Sequence, residues 1–91
     1  MIGKYDFRSN FMDQLRLIAV ANGDREALVY RAGVPPRKMG RARLLLNGEW
    51  FFVPCRELGC WSGFGATLAE AVWDSGIEKV LEQVQDREVV S

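Results

Sequence analysis

The strongest constraint on the fold of this 91-residue chain is a β-hairpin signal near its middle. A leucine-rich segment at residues 43–46 and an aromatic-rich segment at residues 49–54 flank the dipeptide Asn47-Gly48. These two residue types tolerate positive φ angles best, so the dipeptide predicts a two-residue type I′ turn between antiparallel strands. Pro54 ends the second strand, because proline has no N–H to donate to a sheet.

A third strand and a long helix are predicted after the hairpin. The strand is expected at residues 58–63, where Gly63-Phe64-Gly65 breaks it. Thr67 then caps a helix, with Glu70 completing a capping box. An apolar stripe at helical spacing predicts that this helix is continuous; its members are Trp73, Ile77, Val80 and Val84. Gly76 in the middle weakens the helix by about 1 kcal/mol relative to alanine, which indicates close packing or a kink.

The N-terminal third is predicted to be mainly helical. Ser9 or Asn10 caps an amphipathic helix at residues 10–21, whose apolar positions are Phe11, Leu15 and Ile18. A second short helix is expected at residues 24–32. The competing interpretation is a strand at residues 27–32, with Asn22-Gly23 as a hairpin turn.

These elements predict one two-layer α+β domain over residues 1–91, in the order α(α)-β-β-β-α. Residues 1–33 form the helical part, residues 33–43 a connector, and residues 41–84 a β-β-β-α unit. A three-stranded antiparallel sheet is expected, with the helices covering one face.

Composition excludes several classes of function. The chain has no histidine, so it contains no Ser-His-Asp triad and no histidine-based zinc site. Cys55 and Cys60 are predicted to be reduced and partly buried, with a disulfide as the alternative. No metal, cofactor or catalytic residue is predicted. The absence of a signal peptide or a long apolar run indicates a cytoplasmic protein without membrane contact.

Twelve basic and twelve acidic residues cancel in number but are segregated along the chain. A basic cluster spans residues 31–43, and its candidate contacts for nucleic acid or phosphate are Arg37, Lys38, Arg41 and Arg43. An acidic row recurs along the C-terminal helix; the candidates for binding a basic partner are Glu70, Asp74, Glu78 and Glu82. A solvated helix face and a solvated connector are the plainer interpretations.

Aromatic side chains on the hairpin provide further candidates for partner binding. Successive strand residues point to opposite faces, so Phe51 faces outward if Trp50 and Phe52 face the helices. An outward ring favours contact with a partner or with a second copy of the chain. Trp61 and Phe64 complete this partner-binding set. A base-stacking platform is the alternative role for these rings.

Two resemblances bear on function. The stretches Glu57-Leu58-Gly59-Cys60, Gly65-Ala66-Thr67 and Ala69-Glu70-Ala71 resemble the HicB antitoxin family over residues 43–84. That resemblance implies a β-β-β-α unit and a protein-binding, non-catalytic role. The Gly-x-Gly-x-Thr-x-x-Glu-Ala pattern after a hairpin also looks like small accessory proteins of phages and mobile elements, anti-CRISPR proteins among them.

The sequence therefore predicts a non-enzymatic protein that binds and inhibits a host protein or ribonucleoprotein complex, as an anti-CRISPR-like inhibitor does. The first alternative is a HicB-like antitoxin partner. The second is a helix-turn-helix DNA-binding regulator, with Gly33 in the turn and a recognition helix starting at Arg37.

Overall fold

A computed structural model of the protein, which describes residue 7 and residues 9–81, contains a five-stranded antiparallel sheet with helices on one face. Strands adjacent in sequence are adjacent in the sheet, in the order β1-β2-β3-β4-β5. The elements are α1 (Asn10–Gln14), β1 (Leu17–Ala21), β2 (Glu26–Arg31), β3 (Arg37–Leu44), β4 (Trp50–Pro54), a 3₁₀ turn (Arg56–Leu58), β5 (Gly63–Gly65) and α2 (Leu68–Asp74). Residues 77–81 are also helical.

The prediction of a three-stranded sheet is wrong, because the N-terminal third is not mainly helical. The helix predicted at residues 10–21 ends at Gln14, where Arg16 adopts a positive φ of 60°. The helix predicted at residues 24–32 is strand β2. Its competitor was correct: the amide of Asn22 donates to the Glu26 carbonyl at 2.8 Å, which closes a β1–β2 hairpin.

The predicted connector at residues 33–43 is also largely strand, since β3 begins at Arg37. A bulge interrupts its pairing with β2: Val29 lies opposite Gly40, but Tyr30 lies opposite Lys38. Met39 is therefore an extra residue on the β3 side, and the bulge reverses which face the residues before it occupy.

The central hairpin is confirmed, although its turn is not type I′. The amide of Gly48 donates to the Leu45 carbonyl at 3.0 Å, and Gly48 has a positive φ of 89° while Asn47 does not. This is a type I turn followed by a glycine bulge, which makes a three-residue loop. The third strand was placed too early, because β5 begins at Gly63.

The core lies between the sheet and the helices. Trp50 and Phe52 point into it while Phe51 lies on the opposite face, as the strand alternation predicts. The buried apolar side chains are Met12, Leu15, Leu17, Ala27, Val29, Met39, Ala42, Trp50, Phe52, Leu68, Ala71, Val72, Ile77 and Leu81.

The predicted continuous C-terminal helix is interrupted. Helix α2 ends at Asp74, with Ser75 as its C-cap, and Gly76 has a φ of 77° in the left-handed region. The turn rotates the second helical segment relative to the predicted stripe. Trp73 is consequently 62% exposed, whereas Ile77 is buried. Val80 is partly buried, and Val84 lies outside the described residues.

Candidate functional site

The second face of the sheet is the candidate functional site, and we call it the open face. The register places its side chains in rows across the strands, and it has an apolar margin at β1 and another at β4 and β5. Four of its apolar side chains remain substantially exposed: Ile18 at 49%, Val20 at 49%, Val53 at 43% and Phe64 at 50%. Within the described residues, α1 and α2 pack on the other face, so neither covers this one.

Basic side chains occupy the middle of the open face. Arg41 lies beside Leu28 and Val53, and Arg43 lies beside Phe51. The β3 bulge adds Lys38, because it places that residue opposite Tyr30. The structure thus brings together three of the four predicted phosphate contacts. Arg37 is the exception, since the register assigns it to the opposite face.

One carboxylate accompanies these cations. The Oε2 atom of Glu26 lies 3.7 Å from a guanidinium nitrogen of Arg41 and 3.8 Å from one of Arg43. Both arginine side chains are more than half exposed. Ion pairs of this exposed kind contribute little, about 0–1 kcal/mol each, so they position the arginines without engaging them fully.

Two of the three predicted aromatic contacts meet on this face. The rings of Phe51 and Phe64 stack with centroids 4.6 Å apart and an interplanar angle of 27°. Trp61 is 79% exposed but lies elsewhere, in the segment before β5, where its amide donates to the Ser75 carbonyl at 3.1 Å. Trp61 is therefore beside the end of α2 and is not part of the open face.

The predicted acidic row is not a uniform docking surface. The Asp74 carboxylate accepts from the Phe64 amide at 3.1 Å, and the Glu70 carboxylate accepts from the Ala66 amide at 3.0 Å. Asp74 therefore joins β5 to the C-terminal end of α2, and Glu70 joins the start of α2 to the residue that follows β5. Glu78 is partly buried in the segment after the helix break, and Glu82 lies outside the described residues.

The cysteines are both free and partly buried, as predicted. Burial raises the pKa of the Cys60 thiol, a hydrogen bond from its own backbone lowers it, and the charge of Cys55 raises it slightly further. The Cys55 thiol donates to the Lys38 carbonyl at 3.4 Å. Among the described residues, no group of three histidine, cysteine, aspartate or glutamate side chains is arranged to hold a metal ion.

The helix-turn-helix interpretation is wrong for residues 25–43. Its two helices correspond to strands β2 and β3, and the proposed recognition helix at Arg37 is the start of β3. The short apolar run of β2 and the alternation of basic and apolar residues at the end of β3 outweigh the weak capping signals there. Separately, no helix in the described part of the chain is long and apolar enough to cross a bilayer.

Sequence reasoning missed half of the open face. The missed residues are Ile18, Val20, Glu26, Leu28, Tyr30 and Val53. Five of them lie on segments interpreted as helix, and the two short apolar runs on either side of Asn22-Gly23 were the signal that indicated strands. Glu26 required the β2–β3 register, which no local pattern provides.

In comparisons with known proteins, no protein-family model, curated protein or solved structure matches the chain.

Proposed function

We propose that this is a non-enzymatic binding protein that docks the open face of its sheet onto a host protein or ribonucleoprotein complex and inhibits it. The observation that supports this most is the set of four exposed apolar side chains on one sheet face: Ile18, Val20, Val53 and Phe64. They form two exposed apolar margins, one at β1 and one at β4 and β5, and exposed apolar surface on one face is typical of interaction sites.

The composition of the open face favours a protein partner. Aromatic and arginine side chains are enriched at the centres of protein interfaces, and the face carries Phe51, Phe64, Arg41 and Arg43. Its aliphatic margin at β1 has no use in binding phosphates, but it would be desolvated by a protein surface. Among the described residues of this face, three cations against the one carboxylate of Glu26 favour a partner surface with acidic groups.

Affinity capture with matched variants tests this proposal. A Val53→Ser/Phe64→Ser double variant is compared with Trp73→Ser, which removes an exposed aromatic ring on α2. We expect the wild type and Trp73→Ser to retain the same host complex, and the double variant to lose it. Loss with Trp73→Ser alone would place the interface on the helical layer and contradict the proposal.

The same capture separates the inhibitor from a HicB-like antitoxin partner. An antitoxin would recover one small cognate toxin, whereas an inhibitor of a defence system would recover a multi-subunit host complex. Activity of the recovered complex, measured with and without added protein, then distinguishes inhibition from simple association.

Single-stranded nucleic acid is a second candidate ligand, favoured by the stacked Phe51–Phe64 pair beside Arg41 and Arg43. Base stacking on aromatic rings next to a basic stripe is how sequence-tolerant binders hold single strands. Fluorescence anisotropy with single-stranded RNA and DNA tests it. We expect binding to weaken between about 50 mM and about 200 mM salt, and Arg41→Gln/Arg43→Gln to reduce that salt dependence. No binding at the lower salt concentration would exclude this candidate.

A further inference from the structure

The two edges of the sheet differ in what covers them within the described residues. The β5 edge is closed by α2: the side chains of Asp74 and Glu70 accept the Phe64 and Ala66 amides. The helix backbone also lies against the strand, since a Cβ added at Gly63 would be 2.7 Å from the Ser75 nitrogen. The β1 edge has no neighbouring strand among the described residues.

In the described part of the chain, strand β1 has none of the features that normally protect an edge. Its sequence is Leu-Ile-Ala-Val-Ala, without charge, proline or glycine. Proteins usually protect exposed edges with lysine, proline, bulges or a covering element. An uncharged apolar edge next to a closed one therefore indicates a strand that is paired in the working protein.

The hydrogen-bond pattern shows which backbone groups of β1 do not bond to β2. The Asn22 amide donates to the Glu26 carbonyl and the Ala32 amide donates to the Arg16 carbonyl, so the even-numbered residues of β1 bond to β2. Bonding groups alternate in an antiparallel pair, so the amides and carbonyls of Leu17, Ala19 and Ala21 point away from the sheet.

We propose that β1 pairs antiparallel with β1 of a second copy, about a two-fold axis through Ala19. In this register Ala19 bonds to Ala19 of the second copy, and Leu17 bonds to Ala21. The outward groups of both strands then pair completely. Ile18 lies opposite Val20 of the second copy as a non-hydrogen-bonded pair, where side chains approach most closely.

A second copy fits this edge better than an unrelated segment because the strand complements itself. No like charges meet at the axis, and on the helix side Ala19 meets Ala19 while the small Ala21 lies opposite Leu17 of the second copy. Each copy has one open edge within the described residues, so the assembly closes as a dimer and does not extend into a fibre. The result is one ten-stranded sheet whose two open faces join at their apolar margins.

Sedimentation of the purified chain from about 1 µM to about 500 µM tests the dimer. Ala19→Pro is the informative variant, because the amide it removes bonds to no other described residue of the same copy and edge strands tolerate proline there. We expect dimers in the wild type and a dissociation constant raised about 100-fold or more in Ala19→Pro. Val53→Lys, on β4 at the opposite margin of the open face, is the matched control and should still dimerise.

Dimers that survive Ala19→Pro but are lost in Val53→Lys would indicate face-to-face association and overturn the proposal, as would a wild type that stays monomeric throughout. Ala19 lies in the proposed dimer edge, whereas Val53 belongs to the proposed binding face. The two variants therefore distinguish a failure of the dimer proposal from a failure of the proposed function.

Amide hydrogen exchange by NMR gives a test that needs no variant and decides the matter if Ala19→Pro does not fold. We expect the amides of Leu17, Ala19 and Ala21 to exchange slowly at dimer concentrations and quickly on dilution. The amides of Ile18 and Val20 should stay protected at both, since they bond to β2. Protection of the odd-numbered amides that does not change with dilution would contradict pairing with a second copy.

Discussion

Two glycines at alternate positions of β5 determine how closely α2 packs on the sheet. A Cβ at Gly63 would collide with the Ala71 carbonyl oxygen, and one at Gly65 would lie 2.6 Å from the Ala71 nitrogen. Both contacts are with helix backbone, which has no flexible end that can move aside. The spacing puts both glycines on the helix side and leaves Phe64 between them on the open face.

We expect Gly63→Ala to lower the free energy of unfolding by ~3 kcal/mol, near the upper end for overpacking, because backbone must move to admit the methyl group. Urea denaturation followed by circular dichroism measures it. Gly33→Ala is the control, because its Cβ would meet only the Pro35 carbonyl oxygen, at an ordinary 3.5 Å. That variant should change stability by less than ~0.5 kcal/mol. Equal effects of the two substitutions would contradict tight packing of α2 on β5.

The raised pKa of Cys60 gives a prediction about pH. Burial favours the neutral thiol in the folded protein. The neutral thiol therefore adds to the free energy of unfolding below the usual thiol pKa, and this contribution is lost as the pH rises through the raised pKa of the folded state. In a Cys55→Ser background, we expect iodoacetamide to react with Cys60 more slowly in the folded protein than in urea at mildly alkaline pH. The difference should narrow as the pH rises. A folded rate equal to the rate in urea would contradict a shielded thiol.

At the scale of single elements, the interruption of the C-terminal helix reverses the expected effect of alanine at position 76 on stability. Alanine should stabilise a continuous helix at position 76, but the left-handed φ of Gly76 disfavours a Cβ. We expect Gly76→Ala to lower the free energy of unfolding by about 1–2 kcal/mol, and Gly76→Asn to cost less, because asparagine tolerates this conformation better. Thermal denaturation of both variants measures the difference. A Gly76→Ala variant more stable than the wild type would indicate that the helix is continuous.

The closed β5 edge depends on side chains of another element. Replacing Asp74 with alanine leaves the Phe64 amide without its acceptor, which we expect to lower stability by about 1 kcal/mol. Loss of the edge cap should also promote self-association, because an unpaired edge can bond to another chain. Light scattering at increasing concentration checks this. Asp13→Ala, which replaces an exposed acid on α1, is the control and should leave scattering unchanged.

In the molecule as a whole, the sheet separates a buried face from the exposed open face. Phe52 is completely buried under the helices, whereas Phe64 on the opposite face is half exposed. We expect Phe52→Ala to cost about 3–5 kcal/mol of stability, a large part of what a domain this small possesses. Phe64→Ala should cost about 1 kcal/mol or less while weakening partner binding. Calorimetry on both variants tests this assignment of the two faces. A larger loss of stability in Phe64→Ala than in Phe52→Ala would contradict it.

In the folded molecule, neither of the two charge clusters defined from the sequence stays together as one surface. The basic cluster was defined by position in sequence, but the bulge in β3 decides that Lys38 joins Arg41 and Arg43 while Arg37 does not. The acidic row was defined by helical spacing, but Asp74 and Glu70 serve the β5 edge. The two clusters therefore do not form two equivalent docking surfaces, and the open face is the stronger candidate.

The sequence by itself determined the features that depend on neighbouring residues. These are the central hairpin, the caps at Ser9 and Thr67, the inward Phe52 with the outward Phe51, and the α+β character. Each follows from turn chemistry, a side chain reaching its own helix, or strand alternation, and none needs a distant partner.

Only the tertiary structure decided the number of strands, the break at Gly76 and the composition of the open face. Leu15 and Ile18 fit a helical stripe locally, and strand pairing of residues 17–21 with 26–31 overrides that weak preference by supplying a ladder of hydrogen bonds and a buried face. The open face joins residues from all five strands, and its membership follows from register and from one bulge. Register is a relation between segments far apart in the chain, so it exists only once the sheet has formed.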